Sequence, residues 1–242
     1  MQNFKNIFDD FNVHARIIPA LITVLPVYIY LLLKNSVNNT FLQSLIPSSI
    51  VYILIVALYY RVIRNLGKKY EEKMYKELGG KPTTILLRYS NNMIDETTKN
   101  RYHKKLNEKV NDIDLPTKKE DEVSSDDMKY ESVINWLRKY ANSNREREMR
   151  VYQELKDYNF WRNLYGSKWI TIISCITLII IEIFQLGKFN IMELIMNPIP
   201  TYTAIYVMTG ILLFIFIVIN KKIVKNKAFD YAKVLLEVCD NL

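Results

Sequence analysis

Four long apolar runs punctuate a chain that is otherwise strongly polar. From Ile17 to Leu33 no residue is charged, and Arg16 and Lys34 bracket the run. A second uncharged run opens at Pro47 and closes at Tyr60, with Arg61 and Arg64 just beyond it. A third extends from Trp169 to Leu186 with Glu182 inside it, and a fourth from Tyr202 to Asn220, after which come Lys221, Lys222, Lys225 and Lys227. A helix of about 20 apolar residues crosses the hydrocarbon core of a bilayer. The pattern therefore predicts four membrane-spanning helices in two hairpins, 17–64 and 166–220. Pro19 falls in the first turn of its run, where proline is tolerated, and Pro26 falls mid-span and predicts a kink.

Between the runs the period is that of polar helices. Phe4, Ile7, Phe8 and Phe11 recur at helical spacing opposite Asp9, Asp10 and Asn12, which predicts a short amphipathic helix over 1–16. The long polar lead and the Asp-Asp pair exclude a secretory signal. Past the second span, Leu66, Tyr70, Met74, Tyr75 and Leu78 keep the period in charged surroundings, so the helix is expected to continue until Gly79-Gly80 ends it as a C-cap. Residues 65–165 then read as a soluble, mostly helical domain. Thr98, Tyr102, Leu106 and Val110 predict a helix over 95–110 with Asp95 as N-cap. Ile85 to Leu87 fits strand or helix equally, and Asn111 to Ser125 reads as an exposed loop. Asp126 is expected to cap a helix whose stripe is Tyr130, Val133, Ile134, Leu137 and Tyr140, and another helix runs through Met149, Tyr152, Leu155 and Phe160. A C-terminal helix occupies 221–242. The fold class is mainly α: a polytopic membrane protein with four transmembrane helices and a central, mostly helical cytosolic domain.

Charge sets the orientation. Cations cluster before the first span, after the second, before the third and after the fourth, while 35–45 and 187–200 hold few, so both termini and the central domain are expected in the cytosol. The net charge of +8 suits anionic lipid or nucleic acid, although the positive-inside distribution alone accounts for much of it. Cys175 and Cys239 support neither a disulfide framework nor a metal site, and His14 and His103 stand alone. No metal, no cofactor and no enzymatic activity are expected. The Gly79-Gly80-Lys81-Pro82-Thr83-Thr84 segment lacks the spacer of a P-loop and carries a proline where its helix should begin. Asp121, Asp126 and Asp127 read as caps and solvated surface rather than a catalytic carboxylate set.

The chemistry that remains is anion binding. Lys81, Thr83, Thr84, Arg88, Arg101, His103, Lys104 and Lys105 crowd one basic stretch, and with Arg138 and Arg162 they offer cations and hydroxyls to a phosphate-bearing ligand. A solvated loop and helix would carry the same residues. Tyr89 and Tyr102 are candidate stacking platforms, although Tyr102 sits in the apolar row and suits packing. Glu182 is an ionisable group inside an apolar span, fit either to line a pore or to reach the interface. Asp9 and Asp10 could form an acidic gate, or belong to a helix resting on the membrane surface. One four-helix subunit is too small to enclose a pore, so an oligomer is expected.

The segment Ala15 to Ala20 at the start of the first span, the GGKPTT turn, Arg88, the Arg101-Tyr102-His103 group, Trp136-Leu137-Arg138 and Arg162-Asn163-x-x-Gly166 together resemble the membrane effectors of Hailong-type bacterial anti-phage defence systems. That resemblance covers most of the chain. It implies a homotetrameric channel in the bacterial inner membrane, whose cytosolic domain binds a short DNA oligomer or nucleotide made by a partner nucleotidyltransferase. Ligand would hold the channel closed, and its loss during infection would open it and arrest growth. Two other readings stay open: an effector activated by a cyclic nucleotide or oligonucleotide, and a membrane scaffold that conducts nothing.

Overall fold

The computed structural model describes residues 9–36, 41–117, 119–123, 126–187, 192 and 202–242. The expected amphipathic positions Phe4, Ile7 and Phe8 lie outside them, as do 37–40, 188–191 and 193–201 in the two short connections. Among the described residues there are helices and no strand. They are α1 (Ile18–Ser36), α2 (Phe41–Leu78), α3 (Pro82–Leu87), α4 (Glu96–Lys109), α5 (Asp126–Ser143), α6 (Met149–Gly166), α7 (Lys168–Leu186), α8 (Thr203–Val218) and α9 (Lys221–Glu237). The Ile85–Leu87 run is thus helical, with Pro82 at its first turn. The chain forms two compact units, Met1–Tyr70 with Asn159–Lys221 and Glu71–Tyr158 with Lys222–Leu242. The C-terminal helix shares a unit with the central segment, and its Val224, Ala228, Ala232, Leu235 and Leu236 are buried.

In the first unit α1 packs on α2 through Ala20, Val24, Val56 and Ile63. It meets α7 and α8 through Tyr30, Cys175, Ala204 and Met208. Outward, the unit exposes Leu58, Phe184, Phe214 and Ile217, while Thr23, Asn163, Ser167, Thr171 and Glu182 are buried. Apolar outside and polar inside is the arrangement that lipid favours. Three stretches, Asp10–Lys34, Leu45–Leu87 and Lys168–Leu186, are long and apolar enough to cross a membrane. Helix α8 is apolar but has 16 residues. At about 1.5 Å per residue that falls short of a core about 30 Å thick, so the spans number three, or four with α8 and the helix after it.

Proline shapes this unit in a way periodicity did not anticipate. Pro19 is not in a first turn: helical structure begins at Asp10, and Val13–Ile17 before α1 is a π-helical stretch. Pro19 has no N–H to give to the Ala15 carbonyl one turn back. The Asn163 side-chain amide donates to that carbonyl instead, at 2.6 Å. Thr23 donates to the Pro19 carbonyl at 2.8 Å and lies 2.8 Å from the Ser167 hydroxyl, so α1 and the π-helical stretch before it are each hydrogen-bonded to the α6–α7 junction. α1 continues through Pro26, and the Tyr52 hydroxyl donates to the nearby Leu21 carbonyl at 2.7 Å. Where α2 crosses α6 the backbones touch at Gly67 and Gly166: a Cβ on Gly166 would stand 2.6 Å from Gly67 Cα.

Helix α2 ends as its glycines predict. The Gly80 amide donates to the Tyr75 carbonyl at 3.0 Å and the Gly79 amide to Lys76 at 3.3 Å, with Gly79 at φ +75°. This is the paired bonding of a glycine-terminated helix. Asp95 caps α4 by accepting from the Thr98 amide at 2.8 Å. In α5 the predicted stripe is buried at Tyr130, Val133, Ile134 and Leu137, while Tyr140 stacks on Trp136.

Candidate functional site

Nine of the ten basic-stretch candidates belong to the second unit, and Arg162 belongs to the first. Most of the nine are already engaged. Lys81, the residue that precedes α3, reaches Glu131 on α5 at 2.7 Å. Arg88 at the end of α3 grips both carboxylate oxygens of Asp127, at 2.8 and 2.5 Å, and donates to the Gly79 carbonyl at 2.8 Å. Arg101 holds Asp240 at 2.8 Å, and Lys105 donates to the Asp240 carbonyl at 3.1 Å. Arg138 on α5 shares a hydrogen bond with Tyr231 and has its Nε buried without a partner. Lys104 is exposed. In the sequence these cations read as one basic stretch, and in the fold Lys81, Arg88 and Arg101 are each matched to a carboxylate remote in the chain.

Thr83, Thr84 and His103 lie in the core, so a ligand-facing role is closed to them in this conformation. The two threonine hydroxyls are buried without hydrogen-bond partners. His103 is fully buried between two backbone carbonyls, Pro116 at 2.7 Å from Nδ1 and Leu87 at 3.1 Å from Nε2. The rings of Tyr89 and Tyr102 are also buried, which leaves no open face for a base. Tyr89 packs edge-on to His103 and donates to Asn100, and the Tyr102 hydroxyl points to Asp240. Burial, aided by Glu96 and Glu122, pushes the Tyr89 phenol up to about 12.

Sequence reasoning missed the hub of this polar core. Glu122 accepts from the Tyr89 amide at 2.9 Å and from the Tyr130 hydroxyl at 2.7 Å. The buried Lys99 ammonium donates to the Arg88 and Asn91 carbonyls. Both residues sit in runs of charge that read as solvated surface. The one available signal was the spacing of Lys99 three residues before Tyr102, on the inward face of α4.

His103 makes this core sensitive to acid. Burial pushes its imidazole below the usual range, against the two carbonyls that favour a proton. A histidine whose folded-state value is depressed stabilises the fold above its unfolded value of about 6.5, and that contribution is lost as pH falls toward the folded value. The unfolding midpoint of this unit should therefore fall between pH 7.5 and 5.5. His103→Gln should flatten that dependence while lowering the midpoint at neutral pH. Asp126 acts in a separate, lower window. Burial would raise it, but the Lys129 ammonium and the Val123 amide hold it below the ordinary carboxylate value.

An open cleft lies on the same unit, lined by Asn91, Met93, Lys225, Asn226, Phe229, Asp230 and Lys233, with a volume of about 510 Å³. That size falls within the roughly 300–1,000 Å³ of small-molecule sites. Lys225, Phe229 and Lys233 follow at four-residue spacing along one face of α9, Asp230 shares the cleft, and no ion pair of either lysine is found among the described residues. No group of three or more potential metal ligands occurs among the described residues.

In the first unit Glu182 is 4% exposed and turned into the helix bundle. Its carboxylate pairs with Lys34 at 2.8 Å and accepts from the Tyr30 hydroxyl at 3.1 Å, which joins the far ends of α1 and α7. Asp9 and Asp10 are exposed at the start of the helical segment that leads into α1. Comparison with protein-family models, with curated proteins and with solved structures finds no match.

Proposed function

We propose that the chain is a multi-pass membrane effector: a homotetrameric ion channel held closed by an anionic ligand on its soluble unit and opened when that ligand is lost. The observation that carries the proposal is the contrast within one chain. A unit with its apolar side chains outward and its polar ones inward is followed by a unit with a polar surface and a basic cleft. The distribution of cations supports an orientation with both termini and the second unit in the cytosol. The interior of the first unit is filled by Ala15, Ala20, Cys175 and Met208, all buried. An ion path then runs between copies rather than through one, and Asp9 and Asp10 lie exposed at the start of the helical segment that leads into the first span.

The ligand is a nucleotide or a short DNA oligomer, made by a nucleotidyltransferase partner as the resemblance implies, and growth arrest during phage infection is the outcome of its loss. Its seat is the cleft beside α9 rather than the Lys81–Lys105 stretch. Lys225 and Lys233 are its cations, with no ion pair among the described residues, and Asn91 and Asn226 supply hydrogen bonds. A fluorescent single-stranded DNA oligomer titrated against the detergent-solubilised protein tests this. Its affinity should fall with salt at a slope of about 0.7 per phosphate contacted, and Lys225→Glu with Lys233→Glu should weaken it at least tenfold. Unchanged affinity in the double variant would remove the cleft from the reading.

A further inference from the structure

Helix α9 sorts its polar side chains into two sets. Lys227 lies 3.7 Å from Glu154 and 3.4 Å from Asp157, Glu237 holds Arg150 at 2.7 Å, and Asp240 just beyond the helix holds Arg101 at 2.8 Å. Lys225, Asn226, Asp230 and Lys233 instead line the cleft, and no hydrogen bond or ion pair of their side chains is found among the described residues. Asp230 stands four residues after Asn226 and three before Lys233, spacings at which helical side chains are neighbours. The segment between α3 and α4 adds Asn91 and the exposed Met93 to the same cleft. The Asn91 side-chain oxygen accepts from the Met93 amide at 2.9 Å, so its NH2 group is the one left to a ligand.

A carboxylate beside the two lysines is out of place in a seat for phosphate alone. An ionised carboxylate only accepts hydrogen bonds, and it repels a phosphate brought next to it. Lys225 and Lys233 are eight residues apart, about 12 Å along α9, with Asp230 between them. That separation suits two phosphates rather than one, and between the phosphates of an oligonucleotide come its sugars and bases. Carboxylate and amide side chains are the ones that read base edges: Asp accepts from an exocyclic amine, and Asn bonds a donor and an acceptor together. Cytosine, adenine and guanine carry such an amine, whereas thymine presents a carbonyl oxygen that a carboxylate repels. Met93 adds an apolar surface for the base.

We propose that Asp230 is the specificity-determining residue of this cleft. Its carboxylate accepts from the exocyclic amine of a nucleobase while Lys225 and Lys233 hold the flanking phosphates, so the cleft takes amine-bearing bases in preference to thymine. The inference rests on the cleft being the ligand's seat. It gives the base composition of the oligomer, and not only its charge, a part in holding it there.

The test uses the full-length protein in detergent and two fluorescent single-stranded oligomers of equal length and charge, one of deoxycytidine and one of thymidine, followed by anisotropy. The deoxycytidine oligomer should bind about five- to tenfold more tightly, the low end for a contact that reads a base. Asp230→Asn should bring the two affinities together, chiefly by strengthening thymidine, since an amide donates to the thymine carbonyl that a carboxylate repels. Lys225→Gln should weaken both by the same factor and keep their ratio. Equal binding of the two oligomers by the unsubstituted protein, with both weakened by Lys225→Gln, overturns the role of Asp230 and leaves the cleft as the ligand's seat; the same result follows if Asp230 takes a sugar hydroxyl instead. If Asp230→Asn strengthens both oligomers alike, the carboxylate is only a repelling charge, and if it weakens both alike, the residue is structural; either outcome overturns the proposal. Binding of neither oligomer, or binding that Lys225→Glu with Lys233→Glu leaves unchanged, removes the cleft as the seat and this inference with it.

Discussion

Gly67→Ala is expected to lower the unfolding midpoint of the solubilised protein by about 6 to 12 °C, while Asn65→Ala two residues earlier leaves it unchanged. A Cβ at position 67 would stand 2.9 Å from Asn163 Cα and overlap the Asn163 side chain. Tight sites sometimes yield by swinging a flexible side chain aside, but Asn163 cannot do so freely. Its amide is the donor that satisfies the Ala15 carbonyl left open by Pro19, and moving it would leave a buried carbonyl without a partner. Overpacking of this kind costs about 3 kcal/mol, and in a chain of this size each kcal/mol corresponds to about 2 to 4 °C. Asn65 is exposed on the same helix and serves as the control. Thermal unfolding followed by tryptophan fluorescence measures both.

The second large effect is expected at Glu182. Glu182→Ala leaves the Lys34 ammonium and the Tyr30 hydroxyl facing an apolar interior, and removing one partner of a buried pair costs about 3 kcal/mol or more. The lower end applies here because the Lys34 side chain is 36% exposed and recovers some water. The double variant Glu182→Leu with Lys34→Met should regain much of the loss, since neither charge is then stranded. If Glu182→Ala alone matched the unsubstituted protein, the pair would not be holding α1 to α7. A carboxylate turned inward and neutralised by Lys34 is suited to fastening helices.

Much of this architecture was legible because lipid and water impose strong, simple patterns. The uncharged run from Ile17 to Leu33, the continuation of α2 to Gly79-Gly80, the Asp95 cap and the Tyr130–Leu137 stripe each follow from local rules, and the fold shows them. What escaped were partnerships between residues far apart in the chain. Pro19 looked harmless because the sequence cannot show that helical structure begins upstream or that Asn163 supplies the missing donor. Arg88 and Lys81 looked available because Asp127 and Glu131 lie about forty residues or more away in sequence and arrive only with α5. His103 looked available to a ligand because a basic helix conceals its inward face when that face itself carries polar groups. The cleft beside α9 escaped for the same reason: Lys225 had been explained by the positive-inside pattern, and nothing local places it near Asn91.

The most direct test of the central claim is electrical. Purified protein is fused into a planar bilayer and the current is recorded before and after a short single-stranded DNA oligomer is added on the side of the soluble unit. The account predicts discrete cation-carrying openings that become rarer as oligomer is added and return when it is washed out. Lys225→Glu with Lys233→Glu should leave the openings insensitive to oligomer. A bilayer that stays silent after confirmed insertion, or a current that rises with oligomer, would contradict it.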